Sequence, residues 1–321
     1  MRTRTLGWTG EKLSVIGFGA WAIGGGGWEF GWGPQDDADS IRAIHVALDI
    51  GVNWIDTAAV YGLGRSERVV AKALEDRRDR VFVATKCALV WDDAGKISGR
   101  IKAESVRREC EDSLRRLNTD VIDLYQIHWP NPDNEIEEGW GAIQDLVREG
   151  KVRYAGVSNF SVAQMERAGV IAPVASLQPP YHLLRRDVEA EILPYCGVQN
   201  IGVVAYSPLA SGLLTGKFDR SRIDALPDED WRKRFSENYR EPKLTPNLTF
   251  VEDLRAIAAE HGRSVGQLAA AWVLRRPEVT SAIVGARNER QVGELFAGSD
   301  WELPAETVDR IEGAWKTRFG S

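Results

Sequence analysis

The chain has 321 residues, enough for two average domains or one large barrel, since a (β/α)8 barrel takes roughly 250 residues. Its composition, 43% hydrophobic and 27% charged, is that of a globular protein, and no stretch approaches the ~20 continuous apolar residues of a membrane-spanning helix. A formal net charge of −6 argues against nucleic acid as a partner, because displacing its counterions needs a basic face.

The first residues, Met1 to Gly7, include two arginines with no apolar run behind them, so a secretory leader is not expected and the cytoplasm is. Cys87, Cys110 and Cys196 are far apart and form no CxxC pair, which predicts free thiols and no metal site.

Thr3 to Ser14 carries a turn signal at Gly7-Trp8-Thr9-Gly10 and predicts a small β-hairpin. Val15 to Gly19 follows as a buried strand closing on glycines. The Gly/Trp-rich stretch from Gly24 to Pro34 lacks the Lys-Ser/Thr of a phosphate-binding loop and is expected to be mobile. Ile41, Ile44, Ala47 and Leu48 then show helical spacing. After them a short apolar run, Val52 to Ile55, delivers Asp56, with Tyr61 five residues on. By itself this pair reads equally as an acid/base couple or as a helix-capping Asp beside a core Tyr.

From there helix and strand alternate. Helical spacing over Val69 to Leu74 precedes the strand Val81 to Lys86, and Ser105 to Leu117 precedes Val121 to Ile127, which runs into His128. The helix Glu138 to Glu149 leads to Tyr154 to Ser158. A helix from Ser161, with Gln164 completing a capping box, leads to Val174 to Gln178. Val188 to Cys196 leads to Ile201 to Tyr206. Leu254 to His261 and Val265 to Leu274 lead to Ser281 to Gly285, and helices Glu289 to Phe296 and Ala305 to Phe319 close the chain. Repeated βα units with eight strands, and no GxGxxG after an early strand, predict an α/β fold. It is a closed (β/α)8 barrel with an N-terminal β-hairpin and long loops on its C-terminal face, one domain over residues 1–321. Phe218 to Leu248, rich in charge and proline, is expected to be one of those loops.

In such a barrel the carboxyl ends of the strands carry the chemistry. Three adjacent strands end at Asp56, Lys86 and His128, with Tyr61 in the first of the loops. A phenol titrating near 10 donates a proton at neutral pH only if its phenolate is stabilised. An ammonium beside it does this, and a carboxylate keeps the ammonium in place. A neutral histidine donates a hydrogen bond to a carbonyl oxygen. Tyr61 then serves as general acid towards a forming alkoxide, and a hydride from a nicotinamide completes the reaction at carbon.

Several motifs in this sequence resemble the aldo-keto reductases. They are Asp56-Thr57-Ala58-Ala59-Val60-Tyr61-Gly62, Thr85-Lys86, Gln126-Ile127-His128-Trp129-Pro130, Gly156-Val157-Ser158-Asn159-Phe160 and Tyr206 to Lys217. The resemblance covers nearly the whole chain and extends to the branch of potassium-channel β-subunit-like and inositol-utilisation-type reductases. It implies a (β/α)8 barrel, an Asp56/Tyr61/Lys86/His128 tetrad and NADPH as cofactor, NADH being the alternative, acting on a small-molecule carbonyl substrate. It further implies that Ser158, Asn159 and Gln178 hold the nicotinamide carboxamide. Tyr206 stacks on its ring, and Ala20 and Trp21 line that end. Ser207, Pro208, Leu209, Ser211 and Lys217 surround the pyrophosphate, and Gly285, Arg287, Gln291 and Glu294 surround the adenosine end, where Arg287 suits a 2′-phosphate. The family's usual asparagine after Glu294 is Leu295 here. Trp28, Trp91 and Trp129, with Trp32 and Trp231, are candidate walls of an aromatic substrate pocket. The channel-subunit branch, a regulatory NADPH binder, has asparagine at the tetrad position that His128 occupies here, which favours an enzyme. The same residues run in reverse would make an NAD-linked alcohol or sugar dehydrogenase.

Overall fold

The computed structural model describes residues 1–296 and 301–320. The predicted hairpin is present: β1 (Thr3–Thr5) pairs antiparallel with β2 (Lys12–Ser14). The chain continues through β3 (Ile16–Gly19), β4 (Trp54–Asp56), β5 (Phe82–Cys87), β6 (Leu89–Trp91), β7 (Ile97–Gly99), β8 (Ile122–Ile127), β9 (Val152–Ser158), β10 (Ser176–Gln178), β11 (Gly202–Tyr206) and β12 (Val279–Gly285). Eight of these strands are mutually parallel and close in the order β10-β11-β12-β3-β4-β5-β8-β9.

Side chains alternate across each strand, so residues two apart share a face. In β5, Val83 and Cys87 pack outward against the helices, while Phe82 and Ala84 pack into the barrel and Lys86 follows them at the rim. β4 behaves likewise, with Trp54 inside, Ile55 outside and Asp56 at the rim. The barrel interior is a small apolar plug of Trp54, Phe82, Ala84, Leu124, Val204 and Ile283, closed from below by Leu6 and Leu13 of the hairpin. Gly17 is required here, because a Cβ on it would lie 2.1 Å from the Trp54 ring. The larger core lies between the barrel and its coat of helices.

Three stretches depart from expectation. A second hairpin, β6 with β7, leaves β5 towards the rim. The predicted helix from Val188 breaks into a short turn, Asp187–Glu189, and the helix Ile192–Val198. Pro194 explains the break: without an N–H it is tolerated in the first turn of a helix and not in its interior. The span Phe218 to Leu248 holds short helices at Arg220–Asp224 and Trp231–Phe235 and the start of Leu244–Glu260. Asp219 and Asp230 cap the first two by accepting from the amides of Arg222 at 2.8 Å and Arg232 at 2.9 Å. The predicted capping box of Ser161 and Gln164 is present. No helix among the described residues is long and apolar enough to cross a membrane, and the three cysteines are free and buried.

Candidate active site

Four side chains meet at the rim above β4, β5 and β8. Lys86 Nζ donates to both oxygens of the Asp56 carboxylate at 2.8 Å, to the Thr57 carbonyl at 2.9 Å and to the Tyr61 phenol oxygen at 3.3 Å. The ammonium also lies 5.0 Å from the centre of the Tyr61 ring. The His128 ring stands edge-on to Tyr61, centroids 5.7 Å apart. Its ring nitrogens have no hydrogen-bond partner among the described residues, and His128 and Tyr61 both line the main cavity. The position of His128 is fixed through its backbone: its amide donates to Cys87 O at 3.1 Å, and its carbonyl accepts from Asn159 Nδ2 at 3.0 Å.

Burial dominates the electrostatics. It pushes the Tyr61 phenol well above its usual range, and the charge of Asp56 adds to the effect. Lys86 Nζ, 3.3 Å from the phenol oxygen, is placed to face a phenolate once the proton is given up. Burial lowers Lys86, with Asp56 opposing it, and holds His128 well below its ordinary value, helped by Lys86. The phenol is therefore protonated and the imidazole neutral across the physiological range.

A second polar network joins the tetrad. Gln178 Nε2 donates to Asp56 Oδ1 at 2.8 Å, and Ser158 Oγ donates to the Gln178 carbonyl at 2.9 Å. The Tyr206 hydroxyl donates to Asn159 Oδ1 at 2.9 Å. Ser158, Asn159, Gln178 and Tyr206 thus form one wall of the cavity, as the resemblance implies. Trp21 stacks near Tyr61, centroids 6.3 Å apart and planes at 24°. Ala20 is not a wall: it is fully buried, its amide donating to Asp56 O at 2.9 Å, and the neighbouring Gly19 lines the cavity instead.

Beyond Tyr206 the backbone turns left-handed at Ser207, Ala210, Ser211 and Gly212, with φ of 55°, 47°, 57° and 102°. These residues curl the backbone into a tight concave turn, the Ala210 and Gly212 amides closing it on the carbonyls of Ser207 and Leu209 at 2.9 Å. Pro208 and Leu209 complete it, and both line the cavity. Further along, Glu294 pairs with Lys217 and, at 3.2 Å, with Arg290. Gly285 and Gln291 border the same groove.

The guanidinium of Arg287 faces the first loop. Nε donates to Gln35 Oε1 at 2.6 Å, and the terminal nitrogens reach the carbonyls of Trp32 and Pro34. Gln35 returns a bond to the Arg287 carbonyl at 2.8 Å. Arg65 holds the same loop through Gln35 O and Asp37. The glycine-rich loop expected to be mobile is thus clamped by two arginines. Arg287→Ala is accordingly expected to weaken NADPH and NADH alike, each by roughly tenfold or ~1.4 kcal/mol, by loosening this wall. Tryptophan-fluorescence titration with both cofactors measures it, and a loss confined to NADPH would show that the guanidinium turns to a 2′-phosphate instead.

The cavity encloses about 1350 Å³, above the ~300–1,000 Å³ of a single small-ligand pocket and enough for a dinucleotide with a substrate beside it. Trp28, Trp32, Trp129 and Trp231 line it; Trp91 lies outside, its ring 6.0 Å from the Arg116 guanidinium. Phe30 of the first loop packs on Phe235 of the late loop at 5.9 Å, and Trp21 on Trp231 at 5.1 Å, so the two loops meet over the groove. Sequence reasoning missed Leu89 and Ile97 of the second hairpin, which also line the cavity. Their signal was present: Leu89-Val90-Trp91, the turn residues Asp92-Asp93-Ala94-Gly95, then Lys96 to Ser98.

Comparison with known proteins agrees with this geometry. The profile of the Aldo/keto reductase family matches residues 15–316. Aldo-keto reductase YhdN of Bacillus subtilis is 40% identical over 301 residues, covering 93% of this chain and 88% of its own. The NADH-specific methylglyoxal reductase of Escherichia coli is 34% identical, over 94% of this chain and 95% of its own. The solved glycerol dehydrogenase of Gluconobacter oxydans superposes with a TM-score of 0.90 at 38% identity, over 99% of this chain and 96% of that one. The chain belongs to the aldo-keto reductase family of oxidoreductases, and its closed parallel barrel is that family's fold.

Proposed function

We propose that this protein reduces an aldehyde or ketone to an alcohol with NAD(P)H, using Tyr61 as general acid, and that residues 1–321 act as one barrel domain. The observation that carries this reading is the convergence of Tyr61, Lys86, Asp56 and His128 at the base of a cavity large enough for a dinucleotide. A nicotinamide cofactor would supply a hydride to the carbonyl carbon. Ser158, Asn159 and Gln178 would orient its carboxamide, Tyr206 its ring, and the turn from Ser207 to Gly212 its pyrophosphate.

The chain's own residues handle the proton. His128 donates a hydrogen bond to the carbonyl oxygen and sets its direction. Tyr61 gives its proton to that oxygen as negative charge develops, and Lys86, held by Asp56, lies against the phenolate left behind. NADPH is the preferred cofactor in this reading, supported by the cations Lys217 and Arg290 at the adenosine end. The E. coli relative is named for NADH, which makes both cofactors part of the test. Three buried free thiols support a reducing compartment such as the cytoplasm.

The test is a panel of aldehydes and ketones followed by nicotinamide absorbance with each cofactor; no turnover of any carbonyl with either would sink the proposal. Its pH dependence is specific. Reduction needs a protonated Tyr61 and a neutral His128. With the first raised above 10 and the second depressed below 6.5, kcat/KM for reduction is expected to be flat between those values. Oxidation of the alcohol needs the phenolate and should rise with pH across the same window. A fall in reduction centred near pH 8 would contradict the assignment.

A further inference from the structure

The loop after β10 turns back on itself at His182. The His182 amide donates to the Arg185 carbonyl at 3.2 Å, and the Arg185 amide donates to the His182 carbonyl at 2.8 Å. Residues paired in this way across a tight antiparallel turn place their side chains on the same side, with Cβ atoms ~4.5–5.5 Å apart. Leu183, fully buried, anchors the turn, and both His182 and Arg185 line the main cavity near Tyr206.

His182 is only 5% exposed, yet its hydrogen bonding is half complete. Nδ1 accepts the Leu184 amide at 3.1 Å, which assigns the ring proton to Nε2. That N–H finds no acceptor among the described residues. Burial, with the Arg185 charge adding to it, pushes the ring down to about 3, so it remains a neutral donor. Beside it, Arg185 touches only Asp187, through Nε at a long 3.4 Å on the exposed side, and its terminal nitrogens have no partner among the described residues. The His182 ring is buried but Nε2 is not sealed in the wall, so its N–H is open to an acceptor in the cavity. A neutral N–H beside a free guanidinium fork is the donor set of an oxyanion site.

We infer that His182 and Arg185 form an oxyanion subsite in the cavity wall, and that the carbonyl substrate carries an anionic group, such as a carboxylate, that this pair holds. The inference rests on the proposed carbonyl reduction and narrows its substrate class. The aromatic walls take the body of such a molecule, Tyr61 and His128 its carbonyl, and the β10 turn its charge.

The experiment compares 4-formylbenzoate with its uncharged methyl ester. For the unaltered enzyme the acid is expected to show a KM at least tenfold lower at similar kcat. Arg185→Met should raise the KM of the acid tenfold or more, leaving its kcat and both constants of the ester within twofold. Arg185→Lys should recover part of the difference. His182→Gln, which keeps an N–H donor, should retain more of the preference than His182→Leu; Arg185 is exposed, so its variants test the idea even where His182 changes impair folding. Equal KM values for acid and ester, or an acid preference unmoved by Arg185→Met, would overturn the inference while reduction of the ester leaves the carbonyl-reductase reading intact. Should Arg185→Met weaken cofactor binding measured without substrate, the pair holds a cofactor phosphate and the substrate subsite is refuted. Reduction of neither compound, nor of any carbonyl in the panel, would refute both readings.

Discussion

Tyr61→Phe is expected to lower kcat for carbonyl reduction by roughly 10²–10⁴-fold, the contribution of one positioned proton donor. The affinities for NADPH and NADH should stay within about twofold, or ~0.4 kcal/mol. The geometry separates the two effects. The phenol hydroxyl is met by Lys86 at 3.3 Å, the longest of that ammonium's contacts, so its removal leaves Lys86 on Asp56 and Thr57 O. The ring, packed near Trp21 and Trp28 at centroid distances of 6.3 and 6.2 Å, is kept in phenylalanine. Among the described residues no other acidic proton is placed to replace it, since His128 is neutral and Lys86 is committed to a carboxylate. Steady-state kinetics beside fluorescence titration tests the prediction, and turnover within tenfold of the unaltered enzyme would remove Tyr61 from the role of acid.

Lys86→Met should abolish reduction and also cost about 3–5 kcal/mol of stability, because removing one partner of a buried pair strands the other. Asp56 is 3% exposed, and without Lys86 its carboxylate keeps, of the side-chain donors described, only Gln178 Nε2 at 2.8 Å. The methionine fills the volume of the lysine stem, so the loss reports charge more than cavity. Adding Asp56→Asn removes the stranded carboxylate, and the double variant should regain most of the stability with no regain of turnover. Denaturant midpoints and kinetics on the three variants separate folding from chemistry. A single Lys86→Met variant as stable as the parent would show that water or a counter-ion reaches Asp56.

Much of this was legible because barrel strands are written with a period of two. Phe82, Ala84 and Lys86, or Leu124, Gln126 and His128, mark one face of a strand, and the polar residue ending each series is the one at the rim. That rule picked out Asp56, Lys86 and His128 without coordinates, while Ser158, Gln178 and Tyr206 came from the family resemblance. It does not reach residues that loops bring to the site, because loop direction depends on what the loop packs against. Trp91 illustrates this: it sits in the second hairpin as expected of a rim residue, but its ring faces Arg116 and lies outside the cavity. Ala20 fails for a neighbouring reason, its backbone being drawn behind the rim by Asp56 O.

The Asp56 to Tyr61 stretch read alone was ambiguous between a cap and an acid/base pair. The sequence by itself determined the alternation of strands and helices, the closure into a parallel barrel and the polar residue at the end of each strand, because these follow from local periodicity and chain length. Only the tertiary structure decided where long-range hydrogen bonds are spent. It tied Arg287 to the first loop across 252 residues of chain, paired Lys86 with Asp56 beside a buried Tyr61, and turned His182 and Arg185 to one side with donors unclaimed. Those outcomes depend on which donors and acceptors meet when distant segments pack, and such meetings leave no period in the sequence.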